Sequence, residues 1–182
     1  MRLNAKEFGL KERYWRASMG NLTIPEEYHK EISSWIKDPK NMLILTGSPG
    51  TGKTHLCAAI LNDLWNNKEV RYFRDDDLYL KAKQAMQRNW DGCACILEQC
   101  DSRYLIIDDF GVDEITPYKL QTIERLIDYR YSKGNDFATI ITTNLSPVEI
   151  KQKYSNRIAS RIFATENKVI FLEGYDLRQQ NK

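Results

Sequence analysis

The sequence has few cysteines and histidines, and no long apolar run. Its 182 residues include four cysteines and two histidines, and Cys93, Cys95 and Cys100 lack the paired spacing of common zinc sites. No stretch approaches the roughly 18 consecutive apolar residues of a membrane helix, and residues 1–15 contain no apolar signal core. We therefore expect reduced, partly buried thiols and a cytoplasmic protein that does not contact a membrane.

The chain also lacks a large excess of charge of either sign. The formal net charge is +2, which is too small to indicate a nucleic-acid-binding protein by itself. Hydrophobic residues make up 42% of the chain and charged residues 29%, which is ordinary for a globular protein. A chain of 182 residues suffices for one domain with a sizeable core. We place this domain at residues 21–182, after a short N-terminal extension at residues 1–20.

Five short apolar segments alternate with helical patterns along the chain. They are MLILT (42–46), VRYF (70–73), YLIID (104–108), ATIITT (138–143) and KVIFL (168–172). Four of the five are apolar on both faces, as expected for strands of a parallel sheet that helices cover on each side. Strands that alternate with helices predict a three-layer α/β fold with a five-stranded parallel sheet.

Capping residues and prolines indicate where several helices begin. Thr23 and Glu26 have the spacing of a capping box, and the segment SPVEI (146–150) repeats this pattern with a proline. The segment TPYKLQTIERLIDYRYSKG (116–134) has proline near its start, glycine at its end and apolar residues at helical spacing between them. These patterns predict three helices that begin directly after residues 23, 116 and 146.

A glycine-rich loop follows the first predicted strand. GSPGTGKT (47–54) matches the pattern G-x-x-x-x-G-K-T and leads directly into the helical segment HLCAAILNDLWNN. Glycines let the backbone turn its N–H groups towards phosphate oxygens, and the helix adds its positive dipole end. The loop therefore predicts a nucleoside triphosphate site, in which Lys53 reaches the β- and γ-phosphates and the Thr54 hydroxyl holds Mg²⁺. The residues predicted to bind the nucleotide here are Gly47, Ser48, Pro49, Gly50, Thr51, Gly52, Lys53, Thr54 and His55.

Two carboxylates come at the end of the third predicted strand. In YLIIDDFG, Asp108 lies at the C-terminal end of the strand, where ligands of open α/β sheets bind, and Asp109 is next. We expect Asp108 to hold Mg²⁺ and Asp109 to polarise the water that attacks the triphosphate. A helix cap or a solvated turn is the alternative for such a pair.

An amide group follows the fourth predicted strand, because ATIITTN ends in Asn144. At that edge of the sheet, Asn144 can orient the attacking water or contact the γ-phosphate. Thr143 is a weaker candidate for the same role. The alternative is that Asn144 only begins the turn before Ser146 and Pro147.

Two arginines lie four residues apart in NRIASRIF (156–163). A helix places Arg157 and Arg161 on one face, while Ile158 and Ile162 share an apolar stripe. By itself, this pattern is typical of a core-packing helix with two solvated arginines. It leaves open whether the arginines meet a negative charge that another part of the molecule supplies.

In their order along the chain, these motifs resemble those of AAA+ ATPases, specifically the compact branch of DnaC-type helicase loaders and IstB-type transposition helper ATPases. The resemblance rests on GSPGTGKTHLCAAI, YLIIDDFG, ATIITTN and NRIASRIF and covers roughly residues 12–178. It implies ATP and Mg²⁺ as cofactors, Asp108 as the magnesium-holding residue, Asp109 as the catalytic acid and Asn144 as the first sensor.

The resemblance also implies that the site is completed by a second copy of the chain. Arg161 matches the arginine finger that reaches the γ-phosphate bound by the adjacent subunit, and Arg157, its helical neighbour, is also expected to bind the nucleotide. The protein is therefore expected to form a homo-oligomer in the ATP state. Many AAA+ proteins carry a helical lid after the core, whereas only LEGYDLRQQNK (172–182) remains here. We expect the lid to be absent and Arg178 to act as a second sensor at the nucleotide.

The segment DDDLYLKAKQAMQRNW (75–90) matches the part of replication initiators and loaders that lines a DNA channel. Lys81, Lys83 and Arg88 give it basic character, and Tyr79 and Trp90 are candidate surfaces for base stacking. The alternative is an ordinary packed face made by Leu78, Ala82 and Ala85.

The motifs leave more than one function open. We favour a loader that engages single-stranded DNA and has a replicative helicase as its partner. The alternative is a helper that acts on duplex DNA and positions a transposase. A small-molecule P-loop kinase, with Arg157 and Arg161 as lid arginines, is a more distant third interpretation. In each case we expect RYWRASM (13–19) to contact the adenine.

Overall fold

The structure, a computed structural model, describes residues 5–22, 24–64, 69–88 and 91–173. Within these ranges, five strands alternate with helices along the chain. The strands are β1 (Met42–Thr46), β2 (Val70–Arg74), β3 (Tyr104–Phe110), β4 (Ala138–Thr143) and β5 (Lys168–Phe171). The helices are α1 (Glu26–Lys37), α2 (Lys53–Leu64), α3 (Asp75–Gln87), α4 (Gly92–Gln99), α5 (Pro117–Lys133), α6 (Pro147–Lys153) and α7 (Asn156–Ile162).

The five strands form one parallel sheet in the order β2-β3-β4-β1-β5. Because the strands are parallel, their C-terminal ends lie at the same edge of the sheet. The loop after β1, the carboxylates of β3 and the end of β4 therefore meet at this edge, which is where ligands of such folds bind. The three-layer α/β fold and the five-stranded parallel sheet predicted from the sequence are confirmed.

The burial of the strands differs from the prediction at the edges of the sheet. Strands β1, β3 and β4 are buried almost throughout, as expected for strands covered on both faces. Strand β5 is an edge strand and is only partly buried, and half of the Phe171 side chain is exposed. Strand β2, at the other edge, is also only partly buried, so three strands and not the predicted four are covered on both faces. The composition of a short apolar segment does not reveal an edge position.

Two hydrophobic cores lie on opposite faces of the sheet. The first contains α1, α2 and residues of the N-terminal segment, and the second contains side chains of helices α3 to α7. Ala5, Leu10, Ala17 and Met19 are all buried in the first core. The N-terminal residues thus pack onto the body of the molecule, and a boundary between residues 20 and 21 stays a prediction.

The predicted helix starts at residues 116 and 146 are confirmed by capping contacts. The Thr116 hydroxyl accepts a hydrogen bond from the Lys119 amide, and Gly134 ends α5 with a φ of 55°. Ser146 and Glu149 form a reciprocal capping box at α6. Thr23, the other predicted cap, lies outside the described residues. The predicted helix start directly after residue 23 is wrong, because α1 begins at Glu26 and Pro25 occupies its cap position. None of the helices in the described part of the chain has the length and apolar character needed to cross a membrane.

Candidate nucleotide-binding site

The glycine-rich loop connects β1 to α2 in a conformation that requires glycine. Gly47, Gly50 and Gly52 have φ values of 146°, 84° and 91°, which residues with a side chain rarely adopt. A Cβ atom added to Gly47 would lie 2.2 Å from the carbonyl oxygen of Leu172. All three glycines are therefore required by the backbone conformation, and Gly47 is also required by the close approach of the chain that follows β5.

The Lys53 ammonium group is folded back over this loop. Its Nζ donates hydrogen bonds to the carbonyl oxygens of Gly47 and Ser48, at 2.7 and 2.6 Å. Only 6% of the residue is exposed. The positive charge therefore lies inside the curve of the loop, where a phosphate chain would be bound.

A cleft of about 630 Å³ opens above the loop at the C-terminal edge of the sheet. This is the size of a typical small-molecule site. It brings together residues that are far apart in the sequence, including most of those predicted to bind the nucleotide. Its lining consists of Arg13, Tyr14, Pro49, Gly50, Gly52, Lys53, Thr54, His55, Asp109, Val112 and Asn144.

Asp108 is 1% exposed and lies beside the loop, at the edge of the cleft. Its Oδ1 accepts hydrogen bonds from the hydroxyl groups of Thr54 and Thr142, at 3.4 and 2.5 Å. Its Oδ2 accepts a hydrogen bond of 2.9 Å from the Tyr72 hydroxyl. The structure therefore brings together Asp108 and Thr54, the two residues that the sequence assigns to Mg²⁺.

A break in the regular pairing of β3 changes the direction of the next residue. The pairing of β3 with β4 shifts register between Ile107 and Phe110, and Asp109 has a φ of 57°. Consecutive side chains of a regular strand point to opposite faces, but this irregularity lets Asp109 line the cleft beside Asp108. Both predicted carboxylates are therefore at the site.

Three residues that hold these carboxylates were missed by the sequence analysis. Tyr72 and Thr142 contact Asp108, and the Arg74 guanidinium lies 3.8 Å from Oδ2 of Asp109. No local sequence pattern marks these three residues. They lie near the carboxylates because β2 and β4 are the neighbours of β3, and a sequence pattern can reveal this only when the strand order is known. Burial and the charge of Asp108 raise the pKa of Tyr72 far above its usual value, so Tyr72 remains a hydrogen-bond donor.

The two candidates predicted at the end of β4, Thr143 and Asn144, differ in exposure and in hydrogen bonding. Asn144 is exposed and lines the cleft, as a residue that contacts the γ-phosphate must. The Thr143 hydroxyl is buried, donates to the Phe110 carbonyl at 2.8 Å and accepts the Leu145 amide at 3.1 Å. Thr143 is therefore engaged by the backbone, and Asn144 is the better placed of the two.

The arginines of α7 do not line the cleft of their own chain. The guanidinium groups of Arg157 and Arg161 both form ion pairs with the Asp128 carboxylate on α5. Arg161 also lies 5.7 Å from the centroid of the Tyr131 ring. Within one chain, the negative charge that these arginines meet is therefore Asp128. Arg178, the predicted second sensor, lies outside the described residues.

The basic residues of α3 are not grouped on one face. Lys83 and Arg88 are exposed, whereas Lys81 is half-buried with its Nζ 5.8 Å from the centroid of the Phe73 ring. The Tyr79 ring packs beside Tyr118, and its hydroxyl accepts a hydrogen bond from Thr116. Tyr79 is thus partly occupied by α5, and Trp90 lies outside the described residues. The buried face that was the alternative is present as well, formed by Leu78, Ala82 and Ala85.

The N-terminal segment contributes two side chains to the cleft, Arg13 and Tyr14. The Arg13 guanidinium lies over the Tyr14 ring, and this ring meets His55 edge-on with centroids 5.8 Å apart. Burial and, secondly, the charge of Arg13 lower the pKa of His55. These are the contacts within the predicted segment 13–19 that reach the cleft.

The comparisons with known proteins agree with this geometry. A family model described as IstB-like ATP binding protein matches residues 29–166. The replicative helicase loader DnaC of Buchnera aphidicola subsp. Baizongia pistaciae (strain Bp) is 29% identical over 164 residues, which are 85% of this chain and 66% of that protein. The uncharacterized protein YqaM of Bacillus subtilis (strain 168) is 30% identical over 132 residues, which are 68% of this chain and 40% of that protein.

The fold is also that of a solved helicase loader. A crystal structure of the DnaC helicase loader matches with a TM-score of 0.76 and 26% identity, over 90% of this chain and 100% of that chain. The chain spans between 40% and 66% of the length of the two curated relatives. The resemblance to DnaC-type loaders and IstB-type ATPases and the three-layer P-loop NTPase fold are thereby confirmed. Because the family model covers most of its length, the chain belongs to the family of IstB-like ATP-binding proteins.

Proposed function

We propose that this chain hydrolyses ATP in a homo-oligomer and acts as a loader of a replicative helicase onto single-stranded DNA. The hydrolysis is supported by the cleft, in which residues of the loop 47–54, the Asp109 carboxylate and the Asn144 amide lie together, with the buried Asp108 hydrogen-bonded to Thr54 of the loop. Asp109 and Asn144 both line it, so both reach the space above the loop where a γ-phosphate would lie. In this proposal Asp109 polarises the attacking water, Asn144 orients it, and Lys53 binds the β- and γ-phosphates.

The residues assigned to Mg²⁺ fit this ion chemically. Mg²⁺ prefers oxygen ligands and is usually bound by one or two carboxylates together with substrate phosphates and water. The Thr54 hydroxyl and the Asp108 carboxylate are two such ligands, 3.4 Å apart beside the loop. Thr54 and Asp108 would hold the ion, which supplies charge neutralisation for the phosphates when bound.

The position of the α7 arginines supports the proposal that each copy of the chain supplies an arginine to the cleft of a neighbouring copy. Phosphoryl transfer is accelerated by about 10³–10⁵ when an arginine stabilises the transferred group. Arg157 and Arg161 are held by Asp128 and do not line the cleft of their own chain. An arginine that does not line its own cleft can serve the cleft of an adjacent copy when it exchanges Asp128 for the phosphate there, and we assign this role to Arg161.

Mixing two inactive variants tests this directly. Lys53→Ala damages the cleft but keeps the arginine, whereas Arg161→Ala damages the arginine but keeps the cleft. Each variant alone should hydrolyse ATP at a small fraction of the wild-type rate. Their mixture should regain activity, because an intact cleft then meets an intact arginine across the contact between two copies. Arg125→Ala, which removes an exposed arginine of α5, is the matched control.

The proposal fails if Arg161→Ala keeps full ATPase activity under conditions in which the protein assembles. It also fails if the mixture of the two variants is no more active than its components. The assembly itself is checked by light scattering with ATP and with ADP, and the ATP state should be the larger one.

The DNA-binding part of the proposal is supported by the relatives and by α3. The matched relative of Buchnera aphidicola is named a replicative helicase loader, although this chain spans only 66% of it. Lys83 on α3 and Arg88 directly after α3 are exposed, and Lys81 on α3 is half-buried. Contacts of these cations with phosphates should make the affinity for single-stranded DNA fall steeply with salt. A salt-independent interaction would instead indicate a protein partner.

The family model is described as IstB-like, and this supports as a second candidate a helper that acts on duplex DNA and positions a transposase. Both functions use the same cleft, so only the DNA distinguishes them. Electron microscopy of the protein with an ATP analogue and either single-stranded or duplex DNA separates the two. Assemblies on single strands favour the loader, and filaments on duplex DNA favour the helper.

A further inference from the structure

A buried ion pair lies next to the cleft and has no part in the function proposed above. The Lys119 Nζ on α5 is 2.8 Å from Oδ2 of Asp75, the first residue of α3. Each of these two residues is 2% exposed. Burying two charges costs free energy that their attraction rarely exceeds, so such a pair needs a reason beyond stability.

The Asp75 carboxylate also binds the backbone directly after the two carboxylates of β3. Its Oδ2 accepts a hydrogen bond of 3.3 Å from the amide of Gly111, which lies two residues after Asp109. On the other side of the same residue, the Lys153 Nζ of α6 donates to the Gly111 carbonyl at 2.7 Å. Gly111 is therefore held from two helices by charged side chains.

The backbone at this point needs such support. Asp109 and Gly111 have φ values of 57° and 85°, and the pairing of β3 with β4 is irregular here. Left-handed conformations at residues other than glycine are strained and persist only when neighbouring contacts impose them. Contacts to Gly111 thus help to fix the direction in which the Asp109 side chain leaves the backbone.

We propose that Asp75, held in place by Lys119, is a positioning residue for the catalytic carboxylate Asp109. It acts through the Gly111 amide and does not touch the nucleotide. This inference rests on the proposed ATPase function and adds a residue to it. It also assigns a second role to α3, which contains two of the basic residues proposed to bind DNA, Lys81 and Lys83, because the helix begins at the residue that holds Gly111.

Two double variants separate positioning from stability. Asp75→Asn with Lys119→Met removes both charges but keeps an oxygen that accepts the Gly111 amide. Asp75→Leu with Lys119→Met has nearly the same shape and removes the acceptor as well. Exchange of a buried ion pair for uncharged groups is tolerated by many proteins, so both variants should fold.

The expected result is a difference in kcat alone. The double variant with Asp75→Leu should have a kcat at least about tenfold below that of the double variant with Asp75→Asn, because a small displacement of a catalytic group is costly. The KM for ATP and the binding of a non-hydrolysable analogue should be equal in the two. Equal kcat values in the two folded variants would overturn the inference, since the pair would then contribute only to stability.

A third variant covers the case in which a double variant does not fold. Lys153→Met removes the contact on the carbonyl side of Gly111 from a half-buried position. It should lower kcat while leaving nucleotide binding unchanged, and an unchanged kcat would contradict the inference. A wild-type protein that binds but does not hydrolyse ATP would overturn the proposed function instead. Loss of hydrolysis in Asp109→Asn, together with full hydrolysis in Lys153→Met, would overturn only the positioning role.

Discussion

The Thr142 hydroxyl lies 2.5 Å from Oδ1 of Asp108 and donates a hydrogen bond to it. The Thr142 Oγ1 also accepts a hydrogen bond of 2.9 Å from the backbone amide of Asp109. One side chain of β4 thus holds both the carboxylate that is assigned to Mg²⁺ and the backbone of the residue that is assigned to catalysis. A hydroxyl group can donate one hydrogen bond and accept another at the same time, and Thr142 does both.

Replacing Thr142 with Val should impair hydrolysis more than nucleotide binding. Valine has the shape of threonine but leaves Asp108 and the Asp109 amide without this partner. We expect a loss of about 1–3 kcal/mol in the free energy of unfolding. A decrease of kcat of about tenfold or more should accompany it, with a nearly unchanged KM for ATP. Thr142→Ser, which keeps the hydroxyl, is the control, and a full kcat in Thr142→Val would contradict the role.

Replacing Lys53 with Met should weaken ATP binding itself. The ammonium group lies inside the loop, and charge-assisted hydrogen bonds contribute about 1.5–3 kcal/mol each. The loss of one such bond corresponds to a decrease in affinity of roughly 10- to 100-fold. Titration calorimetry with an ATP analogue measures this change. Lys151→Met removes the same charge from an exposed position of α6, and an equal loss in this control would refute a specific role.

The sequence predicts the parts of the site that a continuous motif carries. The loop of residues 47–54 and the carboxylates of YLIIDDFG follow directly from local patterns, because each motif includes its own strand or helix. The start of α5 at Pro117 and the capping box at Ser146 are local features in the same way.

The parts that depend on strand order could not be predicted. Tyr72 and Thr142 reach Asp108 only because β2 and β4 lie on either side of β3. The ion pair of Asp75 with Lys119 joins residues 44 positions apart, and the helical patterns that contain them do not indicate this contact. Likewise, the exposure of β5 follows from its place at the edge, although its composition matches that of a buried strand.

The pKa of His55 should rise when the charge of Arg13 is removed. Burial is the main cause of its lowered pKa and the Arg13 charge is the second, since a nearby cation disfavours a protonated imidazole. Arg13→Gln should therefore raise the pKa while leaving it below the usual value, because the burial remains. Titration by NMR measures this, and since the chain has two histidines, His29→Gln assigns the signal. An unchanged or lower pKa would contradict the contact of Arg13 with the cleft.

Arg130 is buried at the end of the sheet that lies opposite the nucleotide cleft. Its guanidinium is buried and donates to the carbonyl oxygens of Ser102 and Ala138, at 2.5 and 2.6 Å, and to Thr139 Oγ1 at 2.9 Å. Burial lowers its pKa to about 10, so the group is still protonated at neutral pH. The starts of β3 and β4 are thereby joined to α5 by one side chain.

Arg130→Met should therefore destabilise the fold without changing the chemistry of the cleft. Each buried carbonyl that loses its donor costs about 1–3 kcal/mol, so we expect the free energy of unfolding to fall by at least about 3 kcal/mol. Denaturant unfolding measures this loss, and Arg125→Met, at an exposed position of the same helix, should change it by less than about 0.5 kcal/mol. The ATP affinity of the folded Arg130→Met protein should equal that of the wild type, because Arg130 and the cleft lie at opposite ends of the parallel strands. If Arg130→Met lowered the affinity for ATP without lowering the free energy of unfolding, the prediction would be wrong and the two ends of the sheet would be coupled.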